Sequence, residues 1–379
     1  MEYYDVIIIG AGIAGCSLAY NLKRIGYKGK VLVIDKKEIG ANAGYGYRVM
    51  LKKDIEEYGI PHVKKFKGIK IGSYKNISAT IDKEDYFVIY QEVCKHLLNN
   101  SDALFNDTEA SLINKDILLT NDKNFKFKYI IDCSGASFFS RKLRKEPLPI
   151  RSWVGLARIV EGDIKNIDRD YYYYIFGDGC SFEDFYVVGN KIIHGYWQYV
   201  KKIDYNLIEI PENEFFKNHV DNFKIISEKK KVIPNAPIFP IVCGNMALLG
   251  DSFGNAFTSS AIGLVPILDS SKILARAIKQ ENLKQYQKKW KKKYLKSYLS
   301  FLVSRIDRYD NSSILKSFKK KYPTNEVLLR QMASVPEEYV KLLNNDDSMD
   351  SSIAFRGFPI YRKLFLMYHY FMLKLKYLL

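Results

Sequence analysis

The feature that most constrains this chain lies within its first 35 residues. Asp5-Val6-Ile7-Ile8-Ile9 is a compact apolar run, too short to span a membrane and of the length of a strand buried on both faces. It leads into Gly10-Ala11-Gly12-Ile13-Ala14-Gly15, then into Cys16-Ser17-Leu18-Ala19-Tyr20-Asn21-Leu22, which reads as a helix. Lys30-Val31-Leu32-Val33-Ile34-Asp35 supplies a second strand ending in a carboxylate 20 residues beyond the last glycine. A bare G-x-G-x-x-G is weak evidence; set between a strand and a helix, with an acid at this distance, it marks a dinucleotide-binding βαβ unit. Gly10 permits the tight turn, Gly12 lets the backbone approach a pyrophosphate, and Gly15 lets the helix pack closely on the strand. The helix N-terminus offers free N–H groups and a partial positive charge to the phosphates. Asp35 is placed to accept hydrogen bonds from the adenosine ribose. This pattern alone does not separate NAD from FAD.

Two later segments favour the flavin. Tyr129-Ile130-Ile131-Asp132-Cys133-Ser134-Gly135-Ala136 reads as a late buried strand followed by a glycine turn. Met246-Ala247-Leu248-Leu249-Gly250-Asp251-Ser252-Phe253-Gly254 reads as a strand that delivers Gly250-Asp251, with Gly263-Leu264 opening a helix that continues through Ile273-Leu274-Ala275-Arg276-Ala277. That arrangement sets a carboxylate where a ribityl hydroxyl would lie, and a helix dipole where a reduced isoalloxazine carries negative charge.

In these three blocks the chain resembles FAD-dependent oxidoreductases of the p-hydroxybenzoate hydroxylase type, and within them the geranylgeranyl reductase family. The resemblance covers roughly residues 1–300. It implies an α/β fold: a Rossmann-type FAD-binding domain, an inserted antiparallel β-sheet substrate domain and a C-terminal helical region. The expected boundaries are 1–60, 85–145 and 240–280 for the FAD-binding domain, 61–84 and 146–239 for the β-rich domain, and 281–379 for the helical region. The FAD contacts it implies are Gly10, Ala11, Gly12, Ile13, Ala14, Gly15, Asp35, Lys36, Arg48, Ala110, Gly135, Gly250, Asp251, Gly263 and Leu264. The chain also departs from the family. Tyr90 stands where a cofactor-side arginine is usual, and Ala41-Asn42-Ala43-Gly44-Tyr45-Gly46 lacks the frequent Cys-Gly pair. Thr258 and Ala261 replace the usual Pro and Gly after the Gly-Asp block, and Phe185-Tyr186-Val187-Val188-Gly189 lacks the usual Trp and Pro.

Gly250-Asp251-Ser252-Phe253-Gly254 also fits G-x-S-x-G, the nucleophile elbow of hydrolases, with Asp307 and His369 in the correct order. An elbow needs a helix directly after it, whereas Asn255 to Ala261 reads as loop, and a hydrolase leaves the glycine loop without a task.

From about residue 150 to 240 the chain is rich in Tyr, Ile, Val and Phe. Examples are Arg151-Ser152-Trp153-Val154-Gly155-Leu156-Ala157-Arg158, Tyr171-Tyr172-Tyr173-Tyr174-Ile175-Phe176 and Lys191-Ile192-Ile193-His194-Gly195-Tyr196-Trp197. Such runs favour strands. Tyr45, Tyr186 and Trp197 are candidates for the lining of an apolar substrate pocket; His194, within the run Lys191 to Trp197, reads as a core or surface residue. No catalytic acid and no metal site is assigned.

Composition decides the remaining classes. With 379 residues, 47% of them hydrophobic and 27% charged, the chain suits a globular protein of two or three units. Five scattered cysteines (Cys16, Cys94, Cys133, Cys180, Cys243) support neither a disulfide framework nor a zinc site, and the polar N-terminus does not read as a signal peptide, so the cytoplasm is expected. The net charge of +17 includes seven lysines between Lys284 and Lys296, with no nucleic-acid motif around them. Helical spacing fits Tyr286, Trp290, Tyr294, Tyr298 and Leu302. Tyr361 to Leu379 is apolar and basic, too short and too charged to span a bilayer; it reads equally as a packed helix or as a peripheral contact with the inner membrane face. The expected activity is reduction of C=C bonds in a polyisoprenoid lipid or diphosphate, with electrons from a ferredoxin-like protein or NAD(P)H. The alternatives are a flavin-dependent monooxygenase acting on an apolar or aromatic substrate, and an electron-transfer flavoprotein.

Overall fold

The structure, a computed structural model, describes residues 1–41, 46–73, 76–146, 152–176, 181–200, 214–234, 237–256 and 263–295, together with Met367 and Phe371. They fall into two units. The first is built from Met1–Val63, Val88–Ile150 and Ile233–Lys296, and the second from Lys64–Phe87 and Arg151–Val232.

The first unit is organised by a largely parallel sheet. Its strand order is Val242–Cys243, Met246–Leu248, Asn124–Asp132, Glu2–Ile9, Val31–Asp35 and Leu104–Asp107, and the hairpin of Ala110–Asn114 and Ile117–Thr120 joins through Asn124–Asp132. The central strand pairs in parallel on both sides, Ile7 with Leu32 and with Ile130. Val6, Ile7 and Ile8 are wholly buried, which is why this run is apolar without alternation. One face carries Tyr4, Ile7, Ile9, Leu32, Ile34 and Phe127, with Ala110, Ile113 and Phe139 packed against it. Helix Ile13–Arg24 packs on helix Leu264–Lys279. The buried Asn21 Nδ2 joins the two helices by donating to Ser271 Oγ at 2.8 Å, and it also donates to its own helix at Ser17 O, 2.9 Å.

A further helix over residues 283–295 belongs to this unit. Tyr286, Trp290 and Tyr294, spaced by four, are all buried. Tyr286 Oη donates to Leu248 O at 3.0 Å, and Trp290 Nε1 donates to Asn255 Oδ1 and Ser270 Oγ. The aromatic stripe read at helical spacing is therefore core as far as Tyr294. Tyr298, Leu302 and, apart from Met367 and Phe371, the segment 361–379 lie outside the described residues.

The second unit is a mostly antiparallel sheet. Its order runs Val220–Pro234, Ser152–Ile164, Lys191–Val200, Ser181–Val188, Tyr171–Phe176, Lys64–Ser73 and Ile77–Ile89, with Tyr171–Phe176 and Lys64–Ser73 paired in parallel. The tyrosine run lies in a strand because alternating rings find partners on both faces. Tyr173 packs against Phe185 and Phe215, while Tyr172 stacks on Tyr186. Helix Glu214–His219 covers the first of these faces through Phe215 and Phe216.

His194 sits on the covered face, fully buried. Arg158 Nε donates to its Nδ1 at 3.1 Å, so the ring proton is on Nε2, which donates to Glu183 Oε2 at 2.7 Å. The ring stacks on Phe216 at 4.9 Å, and the Arg158 guanidinium lies 4.3 Å from the same phenyl ring. The array sets a neutral imidazole between one cation and one anion, while Glu183 Oε1 has no hydrogen-bond partner among the described residues, so the cost of burying the charges is only partly offset.

Asp54, in helix Lys52–Tyr58, is buried and its Oδ2 has no hydrogen-bond partner among the described residues. Burial pushes its carboxyl up to about 6, against the pull of Lys53 and Lys272. A carboxyl with a folded pKa of about 6 and an ordinary value of 3.8 destabilises the fold once both states are ionised, by roughly 3 kcal/mol. Its contribution is most favourable below pH 3.8 and is lost as pH rises through 6. Asp54→Asn is therefore expected to raise the unfolding free energy measured in denaturant at pH 7.5, with the gain shrinking toward pH 4.

Candidate cofactor site

Register brings the three sequence blocks together. Ile9 pairs with Ile34 on one side and with Asp132 on the other, and Leu248 pairs with Asp132. The loops that begin at Gly10, Cys133 and Leu249 thus leave neighbouring parallel strands at one level, the carboxyl edge where open α/β sheets bind ligands.

Close backbone packing fixes these loops. Gly10 has φ +111°, and a Cβ there would lie 2.4 Å from the Cys133 carbonyl oxygen. A Cβ at Gly15 would lie 2.0 Å from Gly10 O, and one at Gly250 would lie 2.9 Å from Ala14 Cβ. Gly12 differs: a Cβ there would meet nothing within 4 Å among the described residues. Gly12 is also the N-cap of helix Ile13–Arg24, with no side-chain capping hydrogen bond, and Gly135 likewise faces open space. The loop therefore presents bare N–H groups and room beside them, the requirement of a pyrophosphate.

Asp35 ends the second strand. Its Oδ2 accepts the Ala11 N–H at 2.8 Å and its Oδ1 the Lys37 N–H at 3.1 Å, so it also braces the glycine loop. Burial pushes its carboxyl above the ordinary value, opposed by the N–H groups of Ala11, Lys37 and Lys36. Lys36 is exposed and pairs with Glu109 at 2.7 Å. Ala110 lies half-buried in Ala110–Asn114, and Arg48 is buried in strand Tyr47–Leu51.

At the other end of the site Asp251 lies in the short 3-10 turn Gly250–Phe253. Helix Leu264–Lys279 begins after Gly263, again without a side-chain cap, and a Cβ at Gly263 would lie 3.7 Å from Asp251 Oδ1. A carboxylate beside an uncapped helix N-terminus is the pairing expected for a polar chain ending in an electron-accepting ring. Tyr90 opens helix Tyr90–Asn99, its N–H donating to Gly46 O at 2.9 Å.

Asp132 was quoted in the sequence reading without a role, and it is the junction of the second and third blocks. Its Oδ1 accepts the Ser134 N–H at 2.9 Å; its Oδ2 accepts the N–H and hydroxyl of Ser140 at 2.9 and 2.5 Å. Its carbonyl accepts the Leu249 N–H at 3.0 Å and Ser252 Oγ at 2.7 Å. An aspartate with a serine two residues on is the pattern of an Asx turn, the signal that points to this role. Ser252 is buried and donates to backbone, which rules it out as the exposed nucleophile of an elbow.

Tyr186 and Trp197 belong to the second unit, and both are buried. The Tyr186 ring stacks on Tyr172 at 5.6 Å, and its hydroxyl donates to Asp184 Oδ2 at 3.2 Å. Trp197 stacks on Phe182 and fills the space above Gly155, where a Cβ would come within 2.4 Å of the indole. Tyr45 lies outside the described residues.

A family described as FAD dependent oxidoreductase matches residues 5–53, the stretch holding the glycine loop, Asp35 and Arg48. Solved structures share the fold at low identity. A flavin-dependent brominase, Bmp2, is 15% identical, with a TM-score of 0.69, over 94% of this chain and 98% of its own. A geranylgeranyl bacteriochlorophyll reductase-like protein from Thermoplasma acidophilum is 15% identical with a TM-score of 0.69, over 94% of this chain and 96% of its own. A probable FAD-dependent monooxygenase from Pseudomonas aeruginosa, pqsL, is 15% identical with a TM-score of 0.55, over 92% of this chain and 100% of its own. The cofactor is FAD, and the chain shares the fold of these flavin-dependent proteins.

The contrast between the two loop glycines gives a direct test. Gly12→Val should leave the unfolding midpoint of the apoprotein unchanged while weakening FAD binding about a hundredfold, or roughly 2.7 kcal/mol, in a fluorescence titration. Gly10→Ala should lower the unfolding midpoint itself, because its Cβ meets backbone.

Proposed function

We propose that the protein reduces carbon–carbon double bonds of a polyisoprenoid lipid or diphosphate. Bound FAD, once reduced, supplies the hydride for such a reaction. The residues described above hold the cofactor: the Gly10 loop and the Ile13–Arg24 N-terminus carry the pyrophosphate, Asp35 the ribose, and Asp251 with the Gly263–Leu264 helix start the ribityl and ring end. The second unit's rings Phe66, Phe87, Tyr172, Tyr174, Phe182, Tyr186 and Trp197 lie together but are buried against one another as core, so the substrate reading rests on the likeness of fold. The shared fold with the geranylgeranyl bacteriochlorophyll reductase-like protein supports it.

The electrons come, in this reading, from a ferredoxin-like protein or NAD(P)H. Lipid access is through a peripheral membrane contact of the C-terminal segment, where Met367 and Phe371, four residues apart, are both exposed. Among the described residues no helix is long and apolar enough to cross a membrane. The shared fold with a probable FAD-dependent monooxygenase favours oxygen-dependent hydroxylation as the second reading.

The two readings separate in one experiment. Photoreduced holoprotein, mixed anaerobically with geranylgeranyl diphosphate, is expected to regain its oxidised flavin absorbance as a product heavier by two hydrogens forms. No reoxidation without oxygen, together with substrate-dependent oxygen uptake in air, would establish the monooxygenase instead.

A further inference from the structure

We infer that the hydroxyl of Thr108 is a binding group for the adenosine half of FAD, and that it adds to this chain's preference for FAD over FMN. Strand Leu104–Asp107 runs parallel to Val31–Asp35, with Asp107 opposite Asp35. Thr108 is the next residue, and its N–H donates to the Asp35 carbonyl at 2.9 Å. Its backbone is thereby fastened beside the carboxylate assigned to the ribose, at the same edge of the sheet as the glycine loop.

The side chain is the informative part. Thr108 is only 5% exposed, and its Oγ1 is buried with no hydrogen-bond partner among the described residues. A buried hydroxyl left unsatisfied is costly, and native structures rarely keep one without a reason. Valine has nearly the same shape and would avoid that cost. The neighbouring groups have found their partners: Asp35 Oδ2 on Ala11 N–H, Asp35 Oδ1 on Lys37 N–H, and Lys36 on Glu109. Among the described residues around Asp35, Thr108 Oγ1 is thus left with a hydrogen bond to make. Its place beside Asp35 makes that ligand the adenosine moiety. FMN has no adenylate and gains nothing from this hydroxyl.

The inference rests on FAD as cofactor and is independent of the reaction catalysed. Apoprotein of wild type, Thr108→Val and Thr108→Ser is titrated with FAD and with FMN by flavin fluorescence, and AMP is used to displace FAD. Thr108→Val is expected to weaken FAD binding about tenfold, or roughly 1.4 kcal/mol, and to leave FMN binding unchanged. AMP should displace FAD from wild type, and the serine variant should restore FAD affinity. The unfolding midpoint of the valine apoprotein should equal or exceed that of wild type. FAD affinity within twofold of wild type, or equal weakening of FAD and FMN, would overturn the assignment. A valine variant that is destabilised or fails to fold would overturn it too, because the hydroxyl would then have a structural partner. Failure of isoprenoid reduction would leave every one of these affinities untouched.

Discussion

The cofactor half depends on one buried residue, Asp132, at the end of a central parallel strand. Its side chain gathers the backbone after it through Ser134 and Ser140, while its carbonyl gathers the Leu249–Ser252 turn. Two loops far apart in sequence are thereby set from a single point, level with the glycine loop through the Ile9–Asp132 pairing. Everything that positions Gly135 and Gly250-Asp251 follows from that anchor. It is polar chemistry enclosed in an apolar sheet, and it holds because every lone pair used is met by a donor with good geometry.

The second unit solves a similar problem with charge. Glu183, His194 and Arg158 bury a cation and an anion under helix Glu214–His219, with the neutral imidazole bridging them and Phe216 closing over ring and guanidinium. An apolar isostere would pack as well, so the array contributes direction more than energy. Hydrogen bonds with fixed donors and acceptors tie the strand of Arg158 to that of His194, and that of His194 to that of Glu183. A one-residue slip of any of these strands would turn its member of the array to the other face.

Much of this was legible in the sequence. The strand, loop, helix and acid of the first 35 residues carry their own spacing, and the aromatic runs carry strand propensity, so both the α/β class and the sheet-rich insert follow from local pattern. The third block's Gly-Asp and the following helix were also readable. What local pattern does not contain is who bonds to whom. Asp132 and Thr108 look like ordinary strand-end residues until register places them at the carboxyl edge. His194 is a single letter whose partners lie 11 and 36 positions away. Tyr186 and Trp197 drew notice as large rings, yet ring size does not reveal which rings pack against their own sheet.

The contact between Gly10 and the Cys133 carbonyl has a consequence for how such a chain can diverge. A clash with a side chain can be relieved by shortening that side chain; a clash with a carbonyl oxygen cannot, since every residue at position 133 brings the same oxygen. The inner wall of the cofactor loop is therefore closed to compensated drift, and no partner substitution makes a larger residue at position 10 acceptable. The rim around Lys36 and Glu109 is under no such restriction, because its contact is made by exposed side chains that can change together.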